Sequence, residues 1–298
     1  MNIVIVGAGA IGSLFGGFLS KRNNVLLIGR TPHVQAIKKN GLKITGKTKL
    51  NIKISAEDSI KKTKFFPELL ILTVKSFDTE NAIKEAKPLI SKDTLVLSLQ
   101  NGLDNIDKIK KYVDTQKVIA GVTTHGALFS KPGYIKHTGR GSTILGELNG
   151  DKTSRIDKIV KIFNQAGIET VASKNIIKEI WIKAIINSSI NPLSAIFHCK
   201  NGYLLKNPIL EKTLEKICEE STGIANAEGV DVSYERSIKK TKEVIEATSE
   251  NYSSMFQSIK KDGKTEIGSI NGRLVEVGKK NDVGAPLNEA LVYSIGSL

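Results

Sequence analysis

The chain has 298 residues, 40% hydrophobic and 25% charged, the composition of an ordinary globular protein with room for two domains. Its net charge of +14 comes from 44 basic residues, only six of them Arg, scattered along the chain rather than clustered. Aromatics make up just 5%, so the pattern of a nucleic-acid binder is missing. Two cysteines, Cys199 and Cys218, suit neither a disulfide framework nor a metal site. With no apolar run near the roughly twenty residues of a membrane span, and a strand pattern starting beside the first Met, no signal segment is expected. The expectation is a cytoplasmic protein with no metal, membrane or nucleic-acid partner.

Residues 3–6 are apolar and lead straight into Gly7, Gly9 and Gly12, the GxGxxG spacing of a dinucleotide-binding turn. A buried strand turning into a helix over 11–19 explains each glycine. Gly7 permits the tight turn, Gly9 lets the backbone approach a pyrophosphate, and Gly12 lets helix and strand pack closely. The amides and positive dipole end of that helix then meet the anion. A second apolar run, 25–28, ends in Gly29-Arg30-Thr31. An NAD site usually carries a carboxylate at this point, whereas Arg30 suits the 2′-phosphate of NADP; no acidic residue follows before Glu57.

Strand patterns at 69–74, 94–99 and 118–122 alternate with helical ones such as 78–86 and 105–112. That alternation predicts an α/β domain with a doubly wound parallel sheet of Rossmann type. Glycine-punctuated strands at 134–137 and 143–146 read as a hairpin on the sheet edge. A helix over 153–166 and a strand near 169–172 complete a first domain, residues 1–173. Strand signals then stop. Helical patterns over 176–197, 209–228, 232–246, 251–260 and 266–279 make residues 174–298 an all-helical domain. The active site is expected in the cleft between the two, where small molecules commonly bind.

Within the first long helical pattern of that domain, Lys183, Asn187 and Asn191 are spaced i, i+4, i+8 and share a face, while Ile182, Ile185, Ile186 and Ile190 surround them. A desolvated ammonium loses basicity and becomes a usable general acid, and two uncharged amides suit a polar acyclic substrate. A solvated face of a surface helix accounts for the same pattern equally well. Pro192 is expected to bend the helix just after Asn191. Glu266 opens a later helical pattern, either aimed into the cleft or serving as a first-turn dipole partner. Lys75 and Asn101 stand at C-terminal strand ends, where open α/β sheets bind ligands, although Asn-Gly is also a common turn pair.

These pieces together resemble the ketopantoate reductase family, the NADPH-dependent 2-dehydropantoate 2-reductases. The likeness rests on Gly7-Ala-Gly-Ala-Ile-Gly12, Thr73-Val-Lys75, Asn101-Gly102, Thr123-Thr-His-Gly-Ala127, Trp181-Ile-Lys183, Asn187, Ile190-Asn-Pro-Leu193, Asn201-Gly202, Glu250-Asn251, Ser253-Ser-Met255, Thr265-Glu266 and Ile270-Asn-Gly272. It covers nearly the whole chain in order and approximate spacing. The resemblance implies that Lys183 protonates the ketone oxygen as hydride reaches the carbonyl carbon. Glu266 would bond the substrate hydroxyl region or the Lys itself, and also touch the cofactor. Asn101 would sit near the nicotinamide ribose and substrate, and Lys75 near the cofactor ribose or nicotinamide. Asn187, Asn191, Asn201 and Ser254 would hold the substrate. Gly7, Ala8, Gly9, Ala10, Ile11, Gly12, Arg30 and Ala127 would line NADPH. The implied partner is a small 2-oxo acid, the implied setting pantothenate and coenzyme A biosynthesis, and the implied state a monomer or homodimer. Two other readings compete: a paralogous NADP-dependent reductase of another 2-oxo acid or an imine, and a non-catalytic NADP sensor. The acid-bearing polar face argues against the sensor.

Overall fold

The computed structural model describes residues 1–298, the side chain of Asp262 excepted. The chain forms two compact units: Met1–Gln100 with Asn105–Ile176, and Asn101–Asp104 with Ile177–Leu298. The first is α/β and the second helical, the fold class read from the sequence.

In the first unit the strands are β1 (Asn2–Val6), β2 (Asn24–Ile28), β3 (Leu42–Gly46), β4 (Leu50–Ile52), β5 (Ser55–Glu57), β6 (Leu69–Leu72), β7 (Leu95–Ser98), β8 (Val118–Thr123), β9 (Gly126–Lys131), β10 (Tyr134–Gly139), β11 (Thr143–Glu147) and β12 (Thr170–Ala172). Its helices are α1 (Ala10–Leu19), α2 (Thr31–Asn40), α3 (Thr79–Ala86), α4 (Asn105–Lys110) and α5 (Ser154–Gln165). The main sheet runs β12-β11-β8-β7-β6-β1-β2-β5. From β5 to β8 every pair is parallel, and the strand order reverses between β1 and β6. That reversal is the switch point at which such sheets bind ligands. Strands β1 and β6 are buried on both faces, which is why they read as unbroken apolar runs.

The expected edge hairpin does not form. β11 pairs antiparallel with β8 in the main sheet, whereas β10 joins a separate sheet of order β4-β3-β10-β9. The glycine-rich stretch between β10 and β11 carries the chain from one sheet to the other, so strands adjacent in sequence are not partners. Helix α1 lies between the two sheets. Ile3, Ile5 and Leu27 of the main sheet share its core with Leu42, Ile44 and Ile135 of the small one. The pair Gly16-Gly17 records this double packing: a Cβ on Gly16 would press on Leu27 and one on Gly17 on Ile44.

In the second unit the helices are α6 (Ile176–Ile196), α7 (Tyr203–Lys206), α8 (Pro208–Ala227), α9 (Tyr234–Ala247), α10 (Ser254–Asp262), α11 (Arg273–Lys280) and α12 (Pro286–Gly296), with a π turn over Gly268–Gly272. Their core joins Ile182, Ile185 and Ile186 of α6 to Leu214 and Ile217 of α8, Leu274 of α11 and Leu291 of α12. Helix α12 has no counterpart among the helical patterns of the sequence. It starts on Pro286, and the Glu220 carboxylate of α8 accepts from the Leu287 and Asn288 amides at 2.9 and 2.8 Å. A carboxylate from another helix thus satisfies the orphan first-turn donors and complements the dipole. Among the described residues no helix is long and apolar enough to cross a membrane.

Three of the four histidines lie inside the first unit. His33 Nδ1 accepts from the Gly133 amide at 2.9 Å, which leaves its Nε2–H to meet Ser13 Oγ at 3.0 Å. His125 Nδ1 lies 3.3 Å from His137 Nε2, and both rings pack edge-on against α1 phenylalanines. Burial holds His33 and His125 down at about 4, from 6.5, and lowers His137 as well. The unfolded chain therefore takes up protons below pH 6.5 that the folded chain refuses. Stability is complete above that value and is lost as pH falls toward about 4. For buried His33 the loss amounts to at most about 3 kcal/mol. Unfolding followed from about pH 7.5 to about pH 5 should show this decline. His125→Phe keeps the edge-on packing and should make the decline shallower, with His33 and His137 supplying what remains; an unchanged pH dependence in that variant would clear His125.

Candidate active site

At the switch point, β1 ends in a turn whose geometry needs its glycines. Gly7 has φ +104°, and a Cβ there would lie 2.5 Å from the Val74 amide nitrogen. A Cβ on Gly12 would strike the Gly7 carbonyl oxygen and Thr73 Oγ1. The Thr73 hydroxyl in turn donates to Gly7 O at 2.8 Å, fixing the end of β6 against the turn. Gly9 differs: a Cβ on it would meet nothing nearer than Gly7 O at 3.9 Å. The space above it is open, and α1 begins with no side-chain cap and no acidic first-turn residue. Gly7, Ala8, Gly9, Ala10, Ile11 and Gly12 thus form a backbone cradle whose helix amides meet no competing carboxylate, which fits a pyrophosphate.

Arg30 is exposed at the N-terminus of α2. The sequence shows no acid close to it, but β5 lies beside β2 and brings two: Glu57 pairs in register with Ile28, and Asp58 Oδ2 accepts from the Thr31 hydroxyl at 3.1 Å. Each is matched by a lysine, Glu57 by Lys38 at 2.8 Å and Asp58 by Lys62 at 2.7 Å. Lys75, half-buried, opens a short 3-10 turn after β6. Beneath it runs a polar chain to which the sequence pattern assigns no role. Gln100 Nε2 donates to Val74 O at 3.0 Å and to Thr79 Oγ1 at 2.7 Å, and the Thr79 hydroxyl donates to Asn105 Oδ1 at 2.7 Å. The one available signal is a Gln closing an apolar strand. Ala127, half-buried on β9 opposite His137, packs against the α1 core.

The second unit holds the other predicted residues. Burial pulls the Lys183 ammonium down to about 8, and the Glu266 charge works against that fall. Glu266 itself is buried, and it stands ahead of the π turn rather than opening an α-helix. Its carbonyl accepts from the Ser269 and Ile270 amides at 3.1 and 3.2 Å. Turns of this kind recur at functional sites. The Asn101–Asp104 segment is hung on the same turn: the Leu103 amide donates to Ser269 O at 2.9 Å and the Ser269 hydroxyl to Asp104 Oδ2 at 3.1 Å. Asn101 and Glu266 are therefore carried by tied segments.

Along α6, Asn187 is half-buried and Asn191 buried. The Asn191 carbonyl accepts from the Ser253 hydroxyl at 3.4 Å. Ser253 is buried and caps α10, while its neighbour Ser254, the residue expected to hold substrate, is exposed at the first helical position. Asn201 donates through Nδ2 to Thr248 Oγ1 at 2.9 Å, and its buried Oδ1 has no hydrogen-bond partner among the described residues. Pro192 lies inside α6, which remains helical to Ile196. The carbonyl it cannot serve, Ser188 O, accepts instead from Asn271 Nδ2 at 2.9 Å. Among the described residues no group of three or more His, Cys, Asp or Glu could hold a metal ion.

Two family models cover the chain, "Ketopantoate reductase PanE/ApbA" over residues 3–150 and its "C terminal" counterpart over 175–297. A 2-dehydropantoate 2-reductase of Pyrococcus abyssi is 43% identical over 97% of this chain and 94% of its own length. Among solved structures, D-mandelate dehydrogenase with NADH and anilino(oxo)acetate superposes with TM-score 0.94 at 31% identity, covering 100% of this chain and 97% of that one. A PanE/ApbA family ketopantoate reductase from Ralstonia eutropha JMP134 gives 0.90 at 32%, covering 99% and 97%. The glycine cradle, the lysine-bearing helix and these near-full-length matches agree: the chain belongs to the ketopantoate reductase family, oxidoreductases that use a nicotinamide cofactor to act on a ketone.

Proposed function

We propose that the protein reduces 2-dehydropantoate to pantoate with NADPH, Lys183 supplying the proton. The observation that carries this reading is the depressed Lys183 ammonium beside Glu266, on a helix face continued by Asn187 and Asn191. The 43% identical Pyrococcus relative names the substrate. A dinucleotide held by the Gly7–Gly12 cradle would supply the hydride that the carbonyl carbon receives. As negative charge grows on the ketone oxygen, the Lys183 ammonium stabilises it and then gives up a proton. Glu266 keeps that ammonium protonated near neutrality, by opposing the effect of burial. Asn187, Asn191 and Asn201, with Ser254 at the rim, bind and orient the hydroxyl and carboxylate ends of the substrate. Asn101 and Lys75 position the nicotinamide side, and Ala127 lies along the cofactor. Arg30 selects NADPH through the 2′-phosphate, helped by the lysines that occupy Glu57 and Asp58. The setting that follows is pantothenate and coenzyme A biosynthesis in the cytoplasm.

The 0.94 superposition on D-mandelate dehydrogenase with NADH favours a second reading, reduction of another 2-oxo acid with NADH. Initial rates with 2-dehydropantoate and an aryl 2-oxo acid, each with NADPH and NADH, separate the two. Saturable NADPH oxidation on 2-dehydropantoate supports the first; turnover confined to the aryl acid transfers the assignment to the second.

Lys183→Ala should lower kcat by about a hundredfold or more with the fold intact, the scale of a lost acid–base group. Since the protonated form is the reactive one, reduction should be level below pH about 8 and decline above it. Glu266→Gln removes the charge that raises Lys183, so the declining limb should move to lower pH; a limb unmoved in both variants would assign it to another group. Arg30→Ala should raise KM for NADPH by about tenfold and leave KM for NADH unchanged, the scale of one charge-assisted hydrogen bond.

A further inference from the structure

Ser188, Ser221, Asn271 and Asn288 are all fully buried in the second unit, on α6, α8, the π turn and α12. Their hydrogen bonds close a ring. Asn271 Nδ2 donates to Ser188 O and to Asn288 Oδ1, both at 2.9 Å. Asn288 Nδ2 donates to Ser221 Oγ at 3.1 Å, and that hydroxyl meets Ser188 Oγ at 3.0 Å. The ring has its anchor because Pro192 lacks the N–H that would otherwise occupy Ser188 O, four residues before it. Ser188 lies five residues after Lys183, and Asn271 five after Glu266. The Asn271 amide is thus a short strut between the helix bearing Lys183 and the turn that follows Glu266. Its orientation is forced, since both neighbours are carbonyl oxygens and only Nδ2 can donate to them.

We propose that Asn271 is a positioning residue of the reductase, holding the Glu266 turn against α6 through the carbonyl that Pro192 leaves open, and so keeping the Glu266 carboxylate in range of the Lys183 ammonium. This rests on the reading of Lys183 as proton donor, and the test separates the two. The readouts are the pH midpoint of Lys183 acetylation by trace acetic anhydride, followed by peptide mass spectrometry, and kcat and KM for 2-dehydropantoate. The first needs no turnover.

In Asn271→Ala the carboxylate is released, so the labelling midpoint should fall by about half a pH unit or more, because Glu266 is what raises it. Turnover should fall about tenfold with a smaller change in KM. The decisive variant is Pro192→Ala combined with Asn271→Ala. The restored amide at position 192 can serve Ser188 O within the helix, so Tm should recover in part, the share that remains lost being that of Asn288 Oδ1, which also accepts from Asn271. The midpoint and kcat should stay displaced, because the strut is still gone. Recovery of all three together would mean that Asn271 merely satisfies a carbonyl, and would overturn the proposal. A wild-type midpoint in Asn271→Ala overturns it too. A displaced midpoint with undiminished turnover supports the strut and removes Lys183 from the chemistry. Asn271→Ser, which keeps one donor, takes the place of the Ala variant should that variant fail to fold.

Discussion

An ammonium group partly withdrawn from water, on half-buried Lys183, is the constraint around which the helical unit is built. Burying a lone cation costs several kcal/mol unless a counter-charge and hydrogen bonds compensate. Lys183 shows the result: its proton is held less tightly than usual, and Glu266 recovers part of the loss. The two are 83 positions apart in sequence, so their proximity depends on the packing between them. Ile182, Ile185 and Ile186 of α6 fix the helix against α8 and α12, while the buried serine and asparagine ring fixes the turn that follows Glu266. Apolar burial sets the distance between elements; the polar ring sets their register.

The α/β unit meets a similar demand without charge. Its cradle is backbone, so the requirement falls on close approach, and each side chain omitted at Gly7 and Gly12 would occupy space held by the end of β6. Thr73 then uses its hydroxyl to lock that contact. Below it Gln100, Thr79 and Asn105 satisfy one another in the interior, which makes the loop bearing Lys75 part of a fixed network rather than a free connection.

Much of this is legible in the sequence because it follows from short-range pattern. The apolar runs of β1, β2, β6, β7 and β8 are buried on both faces and need no partner to be recognised. The glycine turn and the four-residue spacing of Lys183, Asn187 and Asn191 are equally local. What escapes is long-range. β3, β4 and β5 are short and partly exposed, so their alternation is weak, and β3 finds its parallel partner β10 some ninety residues later. A shorter gap in the chain hides the acids beside Arg30, delivered by β5. Residues 134–146 look like a hairpin because sequence shows adjacency and not sheet membership. Helix α12 draws its capping carboxylate from α8, and no local rule reveals Glu220 as its partner.

The second unit is not one continuous stretch of chain. Four residues, Asn101–Asp104, belong with the helices although their flanks belong to the α/β unit, and Ser269 holds them by two hydrogen bonds. A truncation or a recombination event that cuts once near residue 176 would therefore carry away the anchor and leave the anchored loop behind. Exchange of helical halves between relatives should succeed only when the loop after β7 travels with its own turn. The loop after β7 and the turn around Ser269 are matched to one another, although about 165 residues of chain separate them.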